Sequence, residues 1–189
     1  MHAAAANKSI LGGIVDVETT GLSPAQDEII ELCIVLFSFD LASGRLVRVE
    51  DEYTGLREPS CVIHPAASRV NGITMADVCG QELDYERVEE IVERADFLIA
   101  HNASFDRNFL LRHFPGIGDK KWFCSMAGID WKGKGFANRR LQDLLYQHNI
   151  APARTHRASD DVYATLELLT HHRAGRRSYL AELLWGPEE

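Results

Sequence analysis

Apolar positions along the chain fall into short runs whose spacing changes from strand-like to helical about midway. Ile10 to Glu18 reads as a first strand, because Ile14, Val15 and Val17 are β-branched residues that suit a buried pleat. After the turn Gly21-Leu22-Ser23-Pro24, residues Glu28 to Phe37 make a nearly continuous apolar run, the second strand. Ser43-Gly44 marks another turn, and Leu46 to Glu50 alternates as a third, so the chain begins as a meander. Pro59 and Pro65 make residues 55–70 an irregular crossing, with an extended piece at Cys61-Val62-Ile63. Asn71-Gly72 is a turn, and Thr74 to Asp77 fits a capping box that opens a short helix.

From there the period is helical. Asp84 to Arg94 carries Val88, Ile91 and Val92 on one face and acidic residues on the other. Phe97 to Ala100 is a short apolar run of the kind found in buried parallel strands, and helix Ala103 to His113 after it completes a βα unit. Lys121 to Ser125 reads as a further strand. Helices follow at Leu141 to His148 and Ser159 to His172, with Leu141, Leu144, Leu145 and Val162, Leu166, Leu169 as core stripes. Tyr179 to Trp185 is a short amphipathic tail that packs on the domain or docks on a partner. The expected fold is α/β, a mixed central sheet of meander plus parallel strands flanked by helices.

Polar residues break this pattern at three places. Asp16 and Glu18 lie two apart in the first strand, so both carboxylates leave one face, roughly 7 Å apart. Burying two like charges is costly, and hard oxygen ligands of this kind suit Mg²⁺ or Mn²⁺. An edge strand with its acidic face in water fits the same pattern. His101-Asn102-Ala103-Ser104-Phe105-Asp106 sits at the end of the buried strand, where α/β sheets place ligands, although Asp106 alone also suits the helix dipole. His156-Arg157-Ala158-Ser159-Asp160-Asp161 opens the penultimate helix. Five residues put His156 and Asp161 on different faces of a continuous helix, so they converge only if His156 swings in from outside; Asp160 reads as a cap.

Composition narrows the class. At 189 residues, 46% hydrophobic and 25% charged, the chain reads as one globular domain with a sizeable core. Cys33, Cys61, Cys79 and Cys124 have neither zinc-site nor redox spacing and read as buried reduced thiols of a cytoplasmic protein. Residues 1–8 lack the features of a signal peptide and read as a frayed, disordered end, and no apolar run reaches membrane-spanning length. The net charge of −8 weighs against a nucleic-acid ligand, but it is unevenly spread. Residues 1–100 hold 7 Lys/Arg and 18 Asp/Glu, a balance of −11, whereas residues 101–189 hold 13 and 10, a balance of +3. Arg107, Arg112, Lys120, Lys121, Lys132, Lys134, Arg139, Arg140, Arg154 and Arg157 are available for a local positive surface, or for a solvated mixed one.

Taken in order, V-D-V-E-T-T-G-L, H-N-A-S-F-D and H-R-A-S-D-D resemble the three motifs of the DnaQ-like family, the DEDDh group of 3′–5′ exonucleases that includes the proofreading ε subunit of bacterial DNA polymerase III. The resemblance spans Ile10 to Leu169 and includes Asn71-Gly72-Ile73-Thr74. It implies a ribonuclease H-like fold, an exonuclease domain over residues 9–175 and a C-terminal tail over 176–189. It also implies that Asp16, Glu18, Asp106 and Asp161 hold two divalent ions, Mg²⁺ or Mn²⁺, with His156 as the general base for hydrolysis of the terminal phosphodiester. Asp16 would bridge the ions, Glu18 and Asp161 would complete one site, and Asp106 would act closely or through water. Thr19, Thr20, Gly21 and Leu22 would bind the terminal nucleotide with Leu22 against its base, or serve only as a turn; Asn102 would position the strand or the Asp106 helix. The implied substrate is a single-stranded 3′ end, DNA before RNA, with a polymerase or a second copy as possible partner and no membrane. An RNA-directed enzyme of the oligoribonuclease or ribonuclease T type shares every motif. A non-catalytic binding module would be expected if a motif residue were missing, and none is.

Overall fold

The computed structural model describes residues 10–151, 156–171 and 176–187. The N-terminal segment read as frayed, Arg154 of the basic stretch and His172 at the end of a predicted helix lie outside these residues. Strands β1 (Leu11–Thr19), β2 (Ile29–Phe39) and β3 (Leu46–Leu56) form the meander. Helices α1 (Pro65–Asn71), α2 (Met75–Val78) and α3 (Tyr85–Arg94) then lead to β4 (Phe97–Ala100) and α4 (Ala103–Leu110). A 3-10 turn at Pro115–Asp119 precedes β5 (Lys121–Cys124), and α5 (Leu141–Gln147), α6 (Ala158–Thr170) and α7 (Tyr179–Trp185) follow.

The sheet order is β3-β2-β1-β4-β5, antiparallel on the meander side and parallel between β1, β4 and β5. Period-two alternation gives β1 two different faces. Val15 and Val17 pack with Val88, Ile91 and Phe109 of α3 and α4, while Ile14 packs on the other face with Val162, Leu166 and Leu169 of α6 and with Leu144 and Leu145 of α5. Asp16 and Glu18 share the face of Ile14 and lie beyond it, toward the carboxyl end of the strand. Helix α7 buries Tyr179, Leu180, Ala181 and Leu183 against the α6 side, with the Tyr179 and Trp131 rings 4.7 Å apart.

Four expectations needed correction. Strand β3 continues to Leu56, since Asp51 to Thr54 pair with Leu36 to Cys33 on an edge where half-exposed polar side chains are tolerated. Cys61 to Ile63 is irregular and joins no strand; the regular element in this crossing is α1, which Pro65 opens and Gly72 closes at φ 72°, a conformation glycine adopts without strain. Helix α4 stops at Leu110, three residues early, and tightens into turns in which His113 and Phe114 both donate to the Leu110 carbonyl. Of the four free cysteines, Cys33 alone is buried, because it faces the core from the middle of β2; Cys61 and Cys124 are half-buried and Cys79, just past α2, is exposed.

Candidate active site

Because β1 and β2 run antiparallel with Asp16 opposite Cys33 and Glu18 opposite Glu31, the acidic residues of both strands share one sheet face. Helix α6 crosses that face with Asp161 in its first turn, and each of Asp16, Glu18 and Asp161 offers an oxygen within 4.8 Å of the other two. Like charges at that separation repel by about 3 kcal/mol per pair at a surface-like dielectric. Cations or protons must therefore offset the cluster. Asp106 is not one of these three: it is buried on α4, its Oδ1 accepts the Val17 N–H at 3.1 Å, and its charge acts on Asp16.

The pKa shifts express the same frustration. Burial drives Asp16 well above the carboxylate range, with Asp106, Glu18 and Asp161 adding to it. Burial pushes Glu18 up to about 8, against an opposing hydrogen bond from Asn71. It pushes Asp106 up to about 7, against the Val17 N–H. Asp161 is also raised by burial, and His156 pulls it back. A divalent ion bound among oxygen ligands relieves these penalties together, so the donor set fits a hard cation such as Mg²⁺ or Mn²⁺.

His156 does swing in. Arg157 is extended at φ −119° and ψ 138°, and the imidazole Nδ1 reaches to 3.5 Å from Asp161 Oδ2 while the side chain stays half exposed. Asp161 Oδ1 accepts a 3.2 Å hydrogen bond from the Gln142 amide on α5. Asn71 is buried where α1 ends, accepting from the Ile73 N–H at 2.9 Å. Gln142, Asn71 and Glu31 escaped the sequence reading. The isolated polar Glu31 in the run Ile29-Ile30-Glu31-Leu32 offered a signal, and Asn71 was visible as part of the Asn71-Gly72-Ile73-Thr74 turn but not as a site residue.

The loop after β1 divides its residues. Leu22 is 85% exposed and, with Phe105, Val70, Ala66 and Ala67, lines an apolar cavity of about 380 Å³ whose polar edge includes Glu18 and Asn71. Gly21 lies against the Asp27 carboxylate, where a Cβ would come within 2.5 Å of Oδ1. The Thr19 hydroxyl donates to the Gly21 carbonyl at 2.6 Å. Thr20 drops out of the expected nucleotide contacts. It is fully buried, its hydroxyl donates to Asp27 and accepts from the Glu28 N–H, and its backbone N–H and carbonyl are taken by Glu28 and His64. Asn102 is the N-cap residue of α4, but its side chain makes no capping bond, and its carbonyl accepts from the Phe105 N–H instead. His101 is pinned between Ser125 Oγ and the Arg139 carbonyl, both at 2.9 Å.

The expected basic surface is smaller than its residue count. Arg112 donates to the Pro24 and Asp27 carbonyls, Lys120 to those of Glu93 and Ala95, Lys134 pairs with Glu182 and Arg157 with Glu31. Arg139 and Arg140 remain exposed where α5 begins, three and two residues before Gln142.

Residues 14–169 match the RNase T family of exonucleases. The PolC-type DNA polymerase III of Thermotoga petrophila is 32% identical over 174 residues, covering 82% of this chain and 11% of that protein. The DNA polymerase III subunit epsilon of Treponema pallidum is 31% identical over 169 residues, covering 83% and 75%, and exodeoxyribonuclease 10 of Escherichia coli K12 is 32% identical over 163, covering 82% and 66%. The chain thus spans about a tenth of the PolC-type polymerases. Among solved structures, exonuclease X in complex with 5′-overhanging duplex DNA aligns at TM-score 0.61 and 26% identity, over 84% of this chain and 89% of that one. The zinc-bound E. coli exonuclease I–single-stranded DNA complex aligns at TM-score 0.70 and 16% identity, over 85% and 40%. The fold is ribonuclease H-like. No helix among the described residues is long and apolar enough to cross a membrane.

Proposed function

The chain belongs to the DnaQ-like exonucleases of the RNase T family, and from that premise we propose that it removes 5′-mononucleotides from the 3′ end of DNA with two divalent ions, Mg²⁺ or Mn²⁺. The observation that carries the proposal is the meeting of Asp16, Glu18 and Asp161 oxygens within 4.8 Å, with His156 beside Asp161. When bound, the ions supply neutralisation of the carboxylates and polarisation of the scissile phosphate. Asp16, Glu18 and Asp161 would hold them, with Asp106 in support.

The residues of the chain do the rest. His156 faces Asp161 through Nδ1, which leaves Nε2 to take a proton from the attacking water. The water oxygen bonds to phosphorus, the P–O3′ bond breaks, and the 3′-oxygen leaves with the electron pair. The apolar cavity beside Glu18 suits the terminal nucleotide, with Leu22 and Phe105 against its base and Thr19 and Gly21 along its edge. Asn102 and the exposed Arg139 and Arg140 would meet the strand. With an acidic chain, grip on nucleic acid is weak and salt-sensitive, which suits a strand delivered by a polymerase or presented as a short end. A cytoplasmic setting goes with this reading, as do an exonuclease domain over residues 9–175 and a C-terminal tail over 176–189.

The test is digestion of 5′-labelled single-stranded DNA, duplex DNA and RNA with Mg²⁺, Mn²⁺ or EDTA. A ladder shortening from the 3′ end, fastest on DNA and abolished by EDTA, is expected. Faster RNA shortening transfers the proposal to the RNA-directed relatives. Release of the label as a mononucleotide at the earliest times with no shortened intermediates, or no products, overturns it.

A further inference from the structure

Glu31 lies directly across the strand pair from Glu18, on the same face as the acidic cluster, and is 1% exposed. Neither of its oxygens is open to a metal. Arg157 Nε donates to both at 3.0 Å, Arg157 Nη2 contacts Oε1, and the Ala158 N–H donates to Oε2 at 2.9 Å. Ala158 is the first residue of α6, whose N-cap residue makes no side-chain cap of its own. Glu31 therefore caps this helix from a strand 127 residues away, and its second partner is the residue that joins His156 to the helix. The Arg157 carbonyl in turn accepts the Asp161 N–H at 3.0 Å.

We infer that Glu31 and Arg157 are positioning residues of the exonuclease site: a single buried carboxylate fixes the start of α6 and so sets where His156 and Asp161 stand relative to Asp16 and Glu18. The inference rests on the proposed exonuclease reading. A merely electrostatic role for the pair is separable, because removing both charges leaves the net charge beside the cluster unchanged.

The test compares wild-type protein with Glu31→Gln/Arg157→Met by Mn²⁺ calorimetry without nucleotide and by turnover of single-stranded DNA. Glu31 is buried but Arg157 is partly exposed, and replacing both members of such a pair is often tolerated, so melting within about 5 °C of wild type is expected. Mn²⁺ affinity should fall about tenfold or more and kcat by at least about tenfold, with KM within about threefold. Mn²⁺ affinity and kcat both within twofold of wild type would overturn the inference. If the double variant does not fold, Glu31→Gln/Arg157→Gln, which likewise leaves the net charge unchanged, carries the same expectations and the same overturning result. Wild-type protein that binds Mn²⁺ but shortens no strand sinks the exonuclease reading and leaves the Mn²⁺ comparison to decide the positioning role.

Discussion

His156 Nδ1 lies 3.5 Å from Asp161 Oδ2, although α6 begins between them. Two residues five apart on an unbroken helix would point about 140° away from each other. The extended conformation at Arg157 cancels that divergence, leaving the imidazole at the solvent edge and the carboxylate inside. Under the proposed mechanism, this arrangement suits a base that would exchange its proton with water on each cycle.

His156→Ala is therefore expected to reduce kcat on single-stranded DNA by about a hundredfold or more while KM stays close to wild type. The half-exposed side chain adds little packing, so the melting temperature should hold. Steady-state kinetics alongside a thermal melt check both. An unchanged kcat removes His156 from the mechanism.

Stability of the metal-free protein should fall as pH rises. Glu18 near 8 and Asp106 near 7 keep protons in the folded chain that the unfolded chain has already released. Their contribution is thus fully present below the ordinary carboxylate range, about pH 4, and is lost as pH climbs through about 8. Melting in EDTA is expected to be lower at pH 8.5 than at pH 5.5. Mn²⁺ should restore more at the higher pH, and Glu18→Gln should flatten the trend. Metal-free melting that rises across this interval would contradict the assignment.

Much of this site was legible in the chain because strand and helix periods constrain side-chain direction. Asp16 and Glu18 had to share a face, and Asp106 and Asp161 had to sit in first turns of helices. The partners were not legible. Gln142 meets Asp161 from 19 residues away and Glu31 meets Arg157 from 126, and no local pattern encodes such pairings. The second half of β3 was hidden because Asp51-Glu52-Tyr53-Thr54 lacks apolar alternation, which an edge strand does not need. The basic stretch stayed open between a positive and a mixed surface because a count of arginines and lysines cannot show that Arg112 and Lys120 are spent on backbone carbonyls.

Gln142→Ala should weaken Mn²⁺ binding and lower turnover by several-fold to about tenfold, since the amide donates to Asp161 and holds its orientation. Raising Mn²⁺ should recover part of the activity. Titration of activity against Mn²⁺ reads this directly, and an unchanged midpoint refutes it.

Leu22→Ala removes an 85% exposed side chain, so folding stability should not change. KM for single-stranded DNA is expected to rise about three- to tenfold, the size of one lost base contact. A variant with wild-type KM would show that the apolar cavity does not receive the terminal nucleotide.

The shared carboxylate site is tested most directly by calorimetric titration of Mn²⁺ into the protein with a nucleoside 5′-monophosphate present. Two ions per chain are expected for wild type, with uptake lost or reduced to one in Asp16→Ala. No uptake by wild type, or equal uptake by Asp16→Ala, would contradict the account.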